Sequence, residues 1–352
     1  MEKKIALLLV LVLLLAGCGV QSEPTDGTTM GTVPDLFAQP TTVPQATTKP
    51  ADTTPTVPDR DRPVRLGLGF EQQEMTYTGG EMHVNVMVYG EGYSNIGVGL
   101  RLFVDGQPQP YYTAEDATVK YMHTFYPPEG MHQYYEVIFT PVAGQAGQTV
   151  ELYVASVTDP TYFLGDGDFA FRHTAASIKG FAQLTYEATP SQQTLPEVAD
   201  VLTNWSCNYV DATDEELGQM NAAQIAQEVK YQFFINDYEQ CNNFYGVTAE
   251  DTVKIRFEAW GTTYVNFGLV IYLDNEPVSV NAEDLMLFEI KNGQKTVIEA
   301  EISMAQFDGK SVVNAVLVPR NRKLCGVENR ADLDVMKTSY FAAVEEYWDL
   351  LK

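Results

Sequence analysis

The sequence predicts a mainly β protein built from two tandem antiparallel β-sandwiches, and three observations predict it. The segment GLRLFVDGQP at residues 99–108 returns as GLVIYLDNEP at residues 268–277, an offset of 169. Around both segments apolar and polar residues alternate with the period of two that is typical of a half-buried strand. The alternating runs are short and end at Gly, Asp, Asn or Pro. One folding module is therefore expected twice.

The first strands of the two copies match without a gap, from Arg65 paired with Phe234 to Pro108 paired with Pro277. In each copy one strand face is mainly apolar and is expected to point inward: Met82, Val84, Val86 and Val88 in the first copy, Asp251, Val253, Ile255 and Phe257 in the second. The opposite faces are mainly polar: Glu81, His83, Asn85 and Met87, and Glu250, Thr252, Lys254 and Arg256. The next inward faces also correspond: Leu100, Leu102 and Val104 with Leu269, Ile271 and Leu273.

Turn chemistry closes both copies of the repeated segment. Asp105-Gly106 and Asp274-Asn275 follow the second matched strand and predict tight hairpin turns. A further match, between residues 147–157 and 309–319, adds another strand to each copy. We place the first sandwich at residues 64–190 and the second at 231–330. The pattern resembles immunoglobulin-like domains and carbohydrate-binding-module sandwiches, although the Cys…Trp…Cys signature of antibody domains is absent.

Helices are expected between and after the sandwiches. Thr194–Glu197 and Thr213–Glu216 fit the capping-box pattern and predict helices to about Trp205 and Lys230, within a helical connector at residues 191–230. Residues 331–352 carry apolar side chains at steps of three or four, which predicts a C-terminal amphipathic helix: Leu333, Met336, Tyr340, Val344, Tyr347 and Leu351.

The N-terminus has the pattern of an export signal. Lys3 and Lys4 precede an apolar run from Ile5 to Leu14 that is too short to span a membrane permanently. The following Leu15-Ala16-Gly17-Cys18 resembles the lipobox of bacterial lipoproteins. The resemblance implies removal of residues 1–17, a diacylglycerol on the Cys18 sulfur, and display on the extracytoplasmic face of the cell membrane.

The segment after Cys18 is expected to be a disordered stalk, at residues 18–63. Residues 19–63 hold 11 Thr and 8 Pro. Such a composition cannot bury a core, and at about 3.1 Å per residue in polyproline conformation it could reach roughly 140 Å. Thr/Pro stalks of this kind resemble those of Gram-positive surface lipoproteins.

The charge and the scarcity of catalytic motifs narrow the function classes. Without residues 1–17 the chain has 20 basic and 46 acidic side chains, a net charge of −26, which disfavours nucleic acid as a partner. There are four His residues and no nucleophile-elbow, zinc-protease or phosphate-loop motif, so neither an enzyme nor a cofactor is predicted.

Cys207, Cys241 and Cys325 permit one disulfide or three buried thiols. Asp166 and Asp168 flank a glycine, as either a weak calcium candidate or a plain hairpin turn.

An aromatic insert in the first copy is the candidate binding site. Its candidate residues surround a Pro-Pro-Glu-Gly turn: Tyr111, Tyr112, Tyr121, Tyr126, Tyr134 and Tyr135. Tyrosine rings suit sugar or peptide surfaces, but aromatic residues also favour strands and cores. Strand alternation predicts that one member of each adjacent pair points inward and the other outward.

The function expected from these observations is that of a membrane-anchored binding protein, with a glycan, a peptide or an envelope protein as its partner. Two alternatives remain open. One is the solute-binding component of a transporter, a class that requires alternating strands and helices in two α/β lobes. The other is an envelope glycan hydrolase that uses a pair of carboxylates among the many acidic residues.

We predict that Cys18→Ala abolishes lipidation, because the substitution removes the sulfur that the lipobox presents. The variant should be released or retained as a precursor, and it should incorporate no labelled fatty acid. Membrane association and fatty-acid labelling at the level of the unsubstituted chain would contradict the lipobox interpretation.

Overall fold

A computed structural model describes residues 65–91, 97–158, 160, 174–218, 229–236, 238–239, 252–261, 265–280, 286–291, 293–303, 310–320 and 335–342. All of them belong to one compact unit, Thr42–Lys352. The signal peptide, Cys18 and the stalk lie outside the described residues, as do Asp166, Asp168, Cys241 and Cys325. The protein is mainly β and has several sheets, as the sequence predicts. No helix in these ranges is long and apolar enough to cross a membrane.

The first module consists of nine strands in two sheets. Their bounds are β1 Arg65–Phe70, β2 Glu74–Tyr77, β3 Met82–Glu91, β4 Val98–Val104, β5 Gln107–Gln109, β6 His123–Phe125, β7 His132–Phe139, β8 Thr149–Thr158 and β9 Thr174–Tyr186. One sheet has the order β1-β3-β7, and the other has the order β2-β9-β8-β4-β5 with β6 also paired to β4. Alternate residues of both sheets meet in one buried core, among them Val86, Leu102 and Leu152.

The second module uses one ten-stranded sheet. Its strands are β10 Ala199–Asp211, β11 Val229–Ile235, β12 Tyr238–Glu239, β13 Thr252–Gly261, β14 Val265–Leu273, β15 Glu276–Val280, β16 Met286–Ile290, β17 Gln294–Ser303, β18 Lys310–Arg320 and β19 Val335–Ala342. Their order is β12-β11-β13-β17-β10-β15-β14-β18-β19, with β16 paired to β14.

The long strand β10 joins the two halves of this sheet. Its first residues pair in parallel with β15, and its later residues pair antiparallel with β17. The register shifts between Thr203 and Ser206, where Asn204 has a positive φ of 53°. Because β10 pairs with β15 up to Leu202 and with β17 from Leu202 onward, apolar residues from both halves meet in one core, including Phe257, Ile271 and Ile298.

The repeated segment forms the same hairpin in both modules. Strands β4 and β5 correspond to β14 and β15 at the offset of 169, and both turns have two residues with positive φ. The angles are 48° and 79° at Asp105 and Gly106, and 50° and 74° at Asp274 and Asn275. Two successive positive φ values are typical of the type I′ turn, which matches the twist of antiparallel strands.

The gapless match fails at its first strand, and the separate match at residues 147–157 also fails. Phe70 lies opposite Val86, while Ile235 lies opposite the equivalent residue Ile255, so the first strands are offset by 165 rather than 169. In the last matched strands Val154 and Ala315 lie opposite Leu102 and Ile271, an offset of 161. The match between residues 147–157 and 309–319 is therefore out by one residue, which would reverse its inward and outward faces.

The helical connector is only partly helical. Residues 199–211, which include the end of the helix predicted to Trp205, form β10, because Leu202 is buried in the second core and Val201 and Trp205 pack against it. The second capping box is confirmed as the start of a helix, whereas Val229 and Lys230, at the predicted end of that helix, belong to β11. Helix α1 spans Asp214–Gly218, the Thr213 amide donates to Glu216 Oε2 at 2.8 Å, and the Glu216 amide donates to Thr213 Oγ1 at 3.2 Å.

The C-terminal helix is not what the described residues show. Within residues 331–352 the structure describes strand β19, which pairs antiparallel with β18 along its whole length. The segment VMKTSYFA is rich in β-branched and aromatic residues, and β18 offers it an unpaired edge. This pairing outweighs the spacing of apolar residues that predicts a helix.

We predict that Leu202→Ala lowers the free energy of unfolding by about 2–4 kcal/mol, because a buried leucine leaves a cavity when truncated. Thr203→Ala is the matched control: its side chain is exposed on the same strand, and a change within about 0.5 kcal/mol is expected. Denaturant unfolding of both variants measures the difference. If Leu202→Ala and Thr203→Ala have equal free energies of unfolding, the assignment of residues 199–205 to the second core is wrong and they belong to the connector.

Candidate functional site

The candidate site is the outer face of the three-stranded sheet. In β3 the core takes Val84, Val86 and Val88, so the alternate side chains point away from it. Three residues of β7, which lie directly opposite Asn85, Met87 and Tyr89, complete this surface together with two glycines of β1. We call it the outer face: Gly67, Gly69, His83, Asn85, Met87, Tyr89, His132, Tyr134 and Glu136.

The Tyr89 ring lies over β1 because Gly67 has no side chain. A Cβ added to Gly67 would stand 3.3 Å from Tyr89 Cβ and 3.8 Å from its Cδ1. On its other side the ring lies 4.9 Å from the His132 ring, at an angle of 34°. The Tyr89 hydroxyl donates to Glu91 Oε2 at 3.0 Å, and this bond raises the pKa of Tyr89. The ring is thus fixed and uncharged.

Polar side chains surround these rings. His83 Nδ1 lies 3.1 Å from Glu136 Oε1, and Asn85 Nδ2 donates to Glu71 Oε2 at 2.8 Å. Tyr112 extends the surface next to β7, and its hydroxyl donates to Glu81 Oε2 at 3.0 Å. Burial, followed by this bond, raises the pKa of Tyr112. The surface therefore combines rings with acceptors and donors for hydroxyl or amine groups.

A cation lies at one corner of this surface. The Arg65 Nη1 atom stands 3.8 Å from Glu91 Oε2, and the Arg65 side chain is 68% exposed. Exposed pairs of this kind contribute little to stability. The exposed Arg65 side chain therefore does not cover the outer face, where the carboxylates Glu71, Glu81, Glu91 and Glu136 outnumber it.

The second module fills the equivalent face with its own side chains. Phe234 stands where the first module has Gly69, and Arg256 stands in the place of Met87. The Arg256 guanidinium lies 4.2 Å above the Phe234 ring. Glu258 replaces Tyr89, and Lys295 Nζ lies 2.8 Å from both Glu258 Oε2 and Glu216 Oε1, which ties α1 to this face.

The aromatic residues of the first module are missing from the second. Val297 lies opposite Glu258, as His132 lies opposite Tyr89, and Glu299 lies opposite Arg256 in the place of Tyr134. The two copies share a backbone arrangement but not an open aromatic surface. This internal comparison makes the outer face of the first module the better candidate.

The structure divides the six predicted tyrosines equally. Tyr111, Tyr121 and Tyr135 are buried, with 0%, 2% and 1% of their surface exposed. Tyr112, Tyr126 and Tyr134 are half-buried. Strand alternation predicts that Tyr111 and Tyr112, and likewise Tyr134 and Tyr135, point to opposite sides, and the burial of one member of each pair confirms this. A binding role for the half-buried three stays a prediction.

Tyr111 is part of a buried hydrogen-bonded group. Its hydroxyl donates to the Leu100 carbonyl at 2.8 Å and accepts from the His123 amide at 3.1 Å, and burial raises its pKa. His123 Nε2 lies 3.0 Å from the Tyr111 carbonyl. Because a carbonyl only accepts, this nitrogen carries the proton. These bonds explain why Tyr111 belongs to the core rather than to a ligand site.

Sequence reasoning misses Tyr89 and His132. The alternation that assigns His83, Asn85 and Met87 to the polar face continues to Tyr89 with one more step of two residues. His132 precedes Tyr134 by the same step in β7. The period of two therefore extends to both residues, whereas the density of tyrosines at residues 111–135 indicates only the insert.

The other predicted sites find no counterpart in the described residues. There, no group of three or more His, Cys, Asp or Glu side chains could hold a metal ion. Cys207 is a free thiol on β10, half-buried, and burial raises its pKa. A raised pKa leaves the thiol protonated and weakly reactive at neutral pH.

The comparisons with known proteins do not identify a family. No family model matches the chain, and no curated protein matches it. Among solved structures, CBD12 from CALX1.2 is similar at 11% identity and a TM-score of 0.20, covering 78% of this chain and 99% of that one. The E. coli chaperone DraB is similar at 11% identity and a TM-score of 0.22, covering 80% and 98%. The N-terminal domain of PorA has 10% identity and a TM-score of 0.18, covering 32% and 97%. At such TM-scores these similarities carry no argument about fold or function.

We predict that the first module loses stability as the pH falls from about 7.5 to 5.5. Burial lowers the pKa of His123, so the folded chain resists a proton that the unfolded chain takes up below about pH 6.5. The stability is therefore complete above that pH and declines below it. His123→Gln should flatten the decline, whereas His83→Gln, at an exposed position, should not. Unfolding measured across this range for the three proteins is the test, and an unchanged slope in His123→Gln would contradict the prediction.

Proposed function

We propose that the protein is an extracytoplasmic lipoprotein that binds a glycan chain and catalyses no reaction. An acylated Cys18 holds it to the membrane, residues 18–63 extend as a stalk, and two immunoglobulin-like modules follow. The lipobox sequence supports the anchor, and the Thr and Pro content supports the stalk. The mainly antiparallel sheets favour this proposal over the transporter alternative, which needs α/β lobes.

The observation that carries the proposal is the open aromatic surface of the outer face. Tyr89 and Tyr134 occupy diagonal positions on neighbouring strands, because Tyr134 lies opposite Met87. Diagonal neighbours of this kind stand about 7–8 Å apart. A sugar chain laid across the sheet can therefore place an apolar ring face on each tyrosine, while the surrounding carboxylates and the Asn85 amide bond its hydroxyl groups.

The chemistry of the surface favours a sugar over an apolar peptide or protein. The described residues have six large hydrophobic side chains that are well exposed: Val119, Met131, Leu195, Tyr209, Val210 and Leu287. Met131 alone of these is the direct chain neighbour of an outer-face residue. The rings of the outer face are instead half-covered by polar neighbours. Such a mixed surface suits a hydroxylated ligand, whereas protein interfaces concentrate apolar anchors.

We predict that Tyr89→Ala combined with Tyr134→Ala weakens glycan binding about tenfold or more, because each ring contributes roughly 0.5–1.5 kcal/mol of stacking. The mature chain would first be screened on a glycan array, and the affinity for the best ligand would then be measured by calorimetry. Tyr209→Ala is the matched control, since this tyrosine is exposed on the second module and stacks under Lys291.

The control variant should bind like the unsubstituted chain, and all variants should keep nearly the same melting temperature. Absence of any glycan ligand, or capture of peptides with no sugar attached, would overturn the proposal. Loss of binding in Tyr209→Ala would move the site to the second module.

A further inference from the structure

Each module buries a second side of its repeated hairpin, away from its own core. In β4, Leu100, Leu102 and Val104 enter the first core, yet Arg101 and Phe103 between them are also buried, at 0% and 1% exposed. In β14, Leu269 and Ile271 enter the second core. Val270 lies between these two residues and Tyr272 follows Ile271, and their side chains are likewise buried, at 0% and 1% exposed.

These outward side chains meet one another in a third apolar cluster. It joins three residues of the first module, Phe103, Tyr153 and Ala155, to four of the second, Val270, Tyr272, Val316 and Val318. We call this contact the seam. Phe103 and Tyr272 are equivalent at the offset of 169, and Ala155 and Val316 are equivalent at the offset of 161. The modules thus contribute the same face of the same strands.

Same-face contact is the geometry of a two-fold dimer, in which one surface patch meets its own copy. In that geometry strands near the axis contact their equivalents. Phe181 in β9 lies opposite Tyr153, and Thr338 in β19 lies opposite Asn314, the equivalent of Tyr153, so β9 and β19 correspond. These two strands lie against each other.

Two polar residues of the repeated segment are not matched by their equivalents in the other copy. Arg101 stands where the second copy has Val270, and Asn275 stands where the first copy has Gly106. The Arg101 guanidinium lies 3.8 Å above the Tyr272 ring, and its Nη2 donates to Asn275 Oδ1 at 3.1 Å. Asn275 Nδ2 in turn donates to the Pro160 carbonyl of the first module at 3.0 Å.

We propose that the two modules form an intramolecular counterpart of an isologous dimer, and that Arg101 and Asn275 are the residues that fix their docking. Apolar side chains alone would let two similar surfaces slide or pair in alternative registers. A directional hydrogen bond and a stacked guanidinium permit one register, which is the best-supported role of polar groups in apolar interfaces. Arg101 Nε and Nη1 have no hydrogen-bond partner, so the bond to Asn275 is the guanidinium's hydrogen bond at the seam.

The inference goes beyond the proposed glycan binding and does not depend on it. Its test uses the mature chain with Arg101→Ala, Asn275→Gly and the double variant. Glycine suits the positive φ of Asn275, 74°, and is the residue at the equivalent position, so this variant should fold. Arg256→Ala is the matched control, because its guanidinium stacks on Phe234 within the second module.

Calorimetric unfolding and small-angle X-ray scattering are the two readouts. The unsubstituted chain should unfold in one coupled transition, and Arg101→Ala should split it into two and increase the radius of gyration. Asn275→Gly should act in the same direction, and the effect of the double variant should be smaller than the sum of the two single effects, because the two residues share one bond while Asn275 also bonds the Pro160 carbonyl. Arg256→Ala should lower the melting temperature without changing the radius of gyration.

Three results would overturn the inference. One is two independent transitions in the unsubstituted chain. Another is that Arg101→Ala folds and keeps both an unchanged radius of gyration and a single unfolding transition. If Arg101→Ala does not fold, the same result for Asn275→Gly would overturn the inference. The third is simple additivity of the two substitutions in the double variant.

Discussion

The structure depends on the burial of both faces of β4 and β14. A strand that is buried on both sides has no tolerance for a shift in register, because a one-residue slip would exchange its two sets of side chains. In β4 all seven residues are buried. The side chains of one face pack in the core of the module, and those of the other face pack in the seam between the modules. The repeated segment therefore has two packing roles in each copy.

This constraint also explains where the modules were free to diverge. The seam uses the sheet that contains β4, and among the described residues the three-stranded sheet on the opposite side of the first core contributes no side chain to it. Its outer face could become an open surface, with Gly67 beneath the Tyr89 ring. On the equivalent face of the second module Arg256 instead stacks on Phe234, and Lys295 binds Glu216 of α1. Divergence at one face and conservation of chemistry at the other follow from the same sandwich geometry.

The sequence was informative where one period and one turn type determine the structure. The alternation around Val86 and Ile255, the hairpins at Asp105 and Asp274, and the Thr213 capping box are all found as predicted. It was less informative where partners distant in the chain decide. Residues 199–211 and 335–342 are strands because β15, β17 and β18 offer them hydrogen bonds, which no local pattern reveals.

For the site, the composition of residues 111–135 predicted an aromatic cluster. It could not distinguish Tyr111, whose hydroxyl is bonded inside the core, from Tyr134 on the outer face. The Leu100 carbonyl that bonds the buried Tyr111 hydroxyl lies on another strand, so no local pattern reveals it.

In the proposed docking, the buried Arg101 determines which arrangement the two modules adopt more than it stabilises that arrangement. Burial lowers the pKa of Arg101 to about 10, so the group remains charged at neutral pH although it is fully buried. An apolar residue of similar volume would avoid the cost of removing this charge from water, and such replacements are often neutral or stabilising. The copy of the module that carries Val270 shows that the fold accepts an apolar residue there. The role proposed for the arginine is therefore that its charge selects one defined arrangement of two equivalent surfaces.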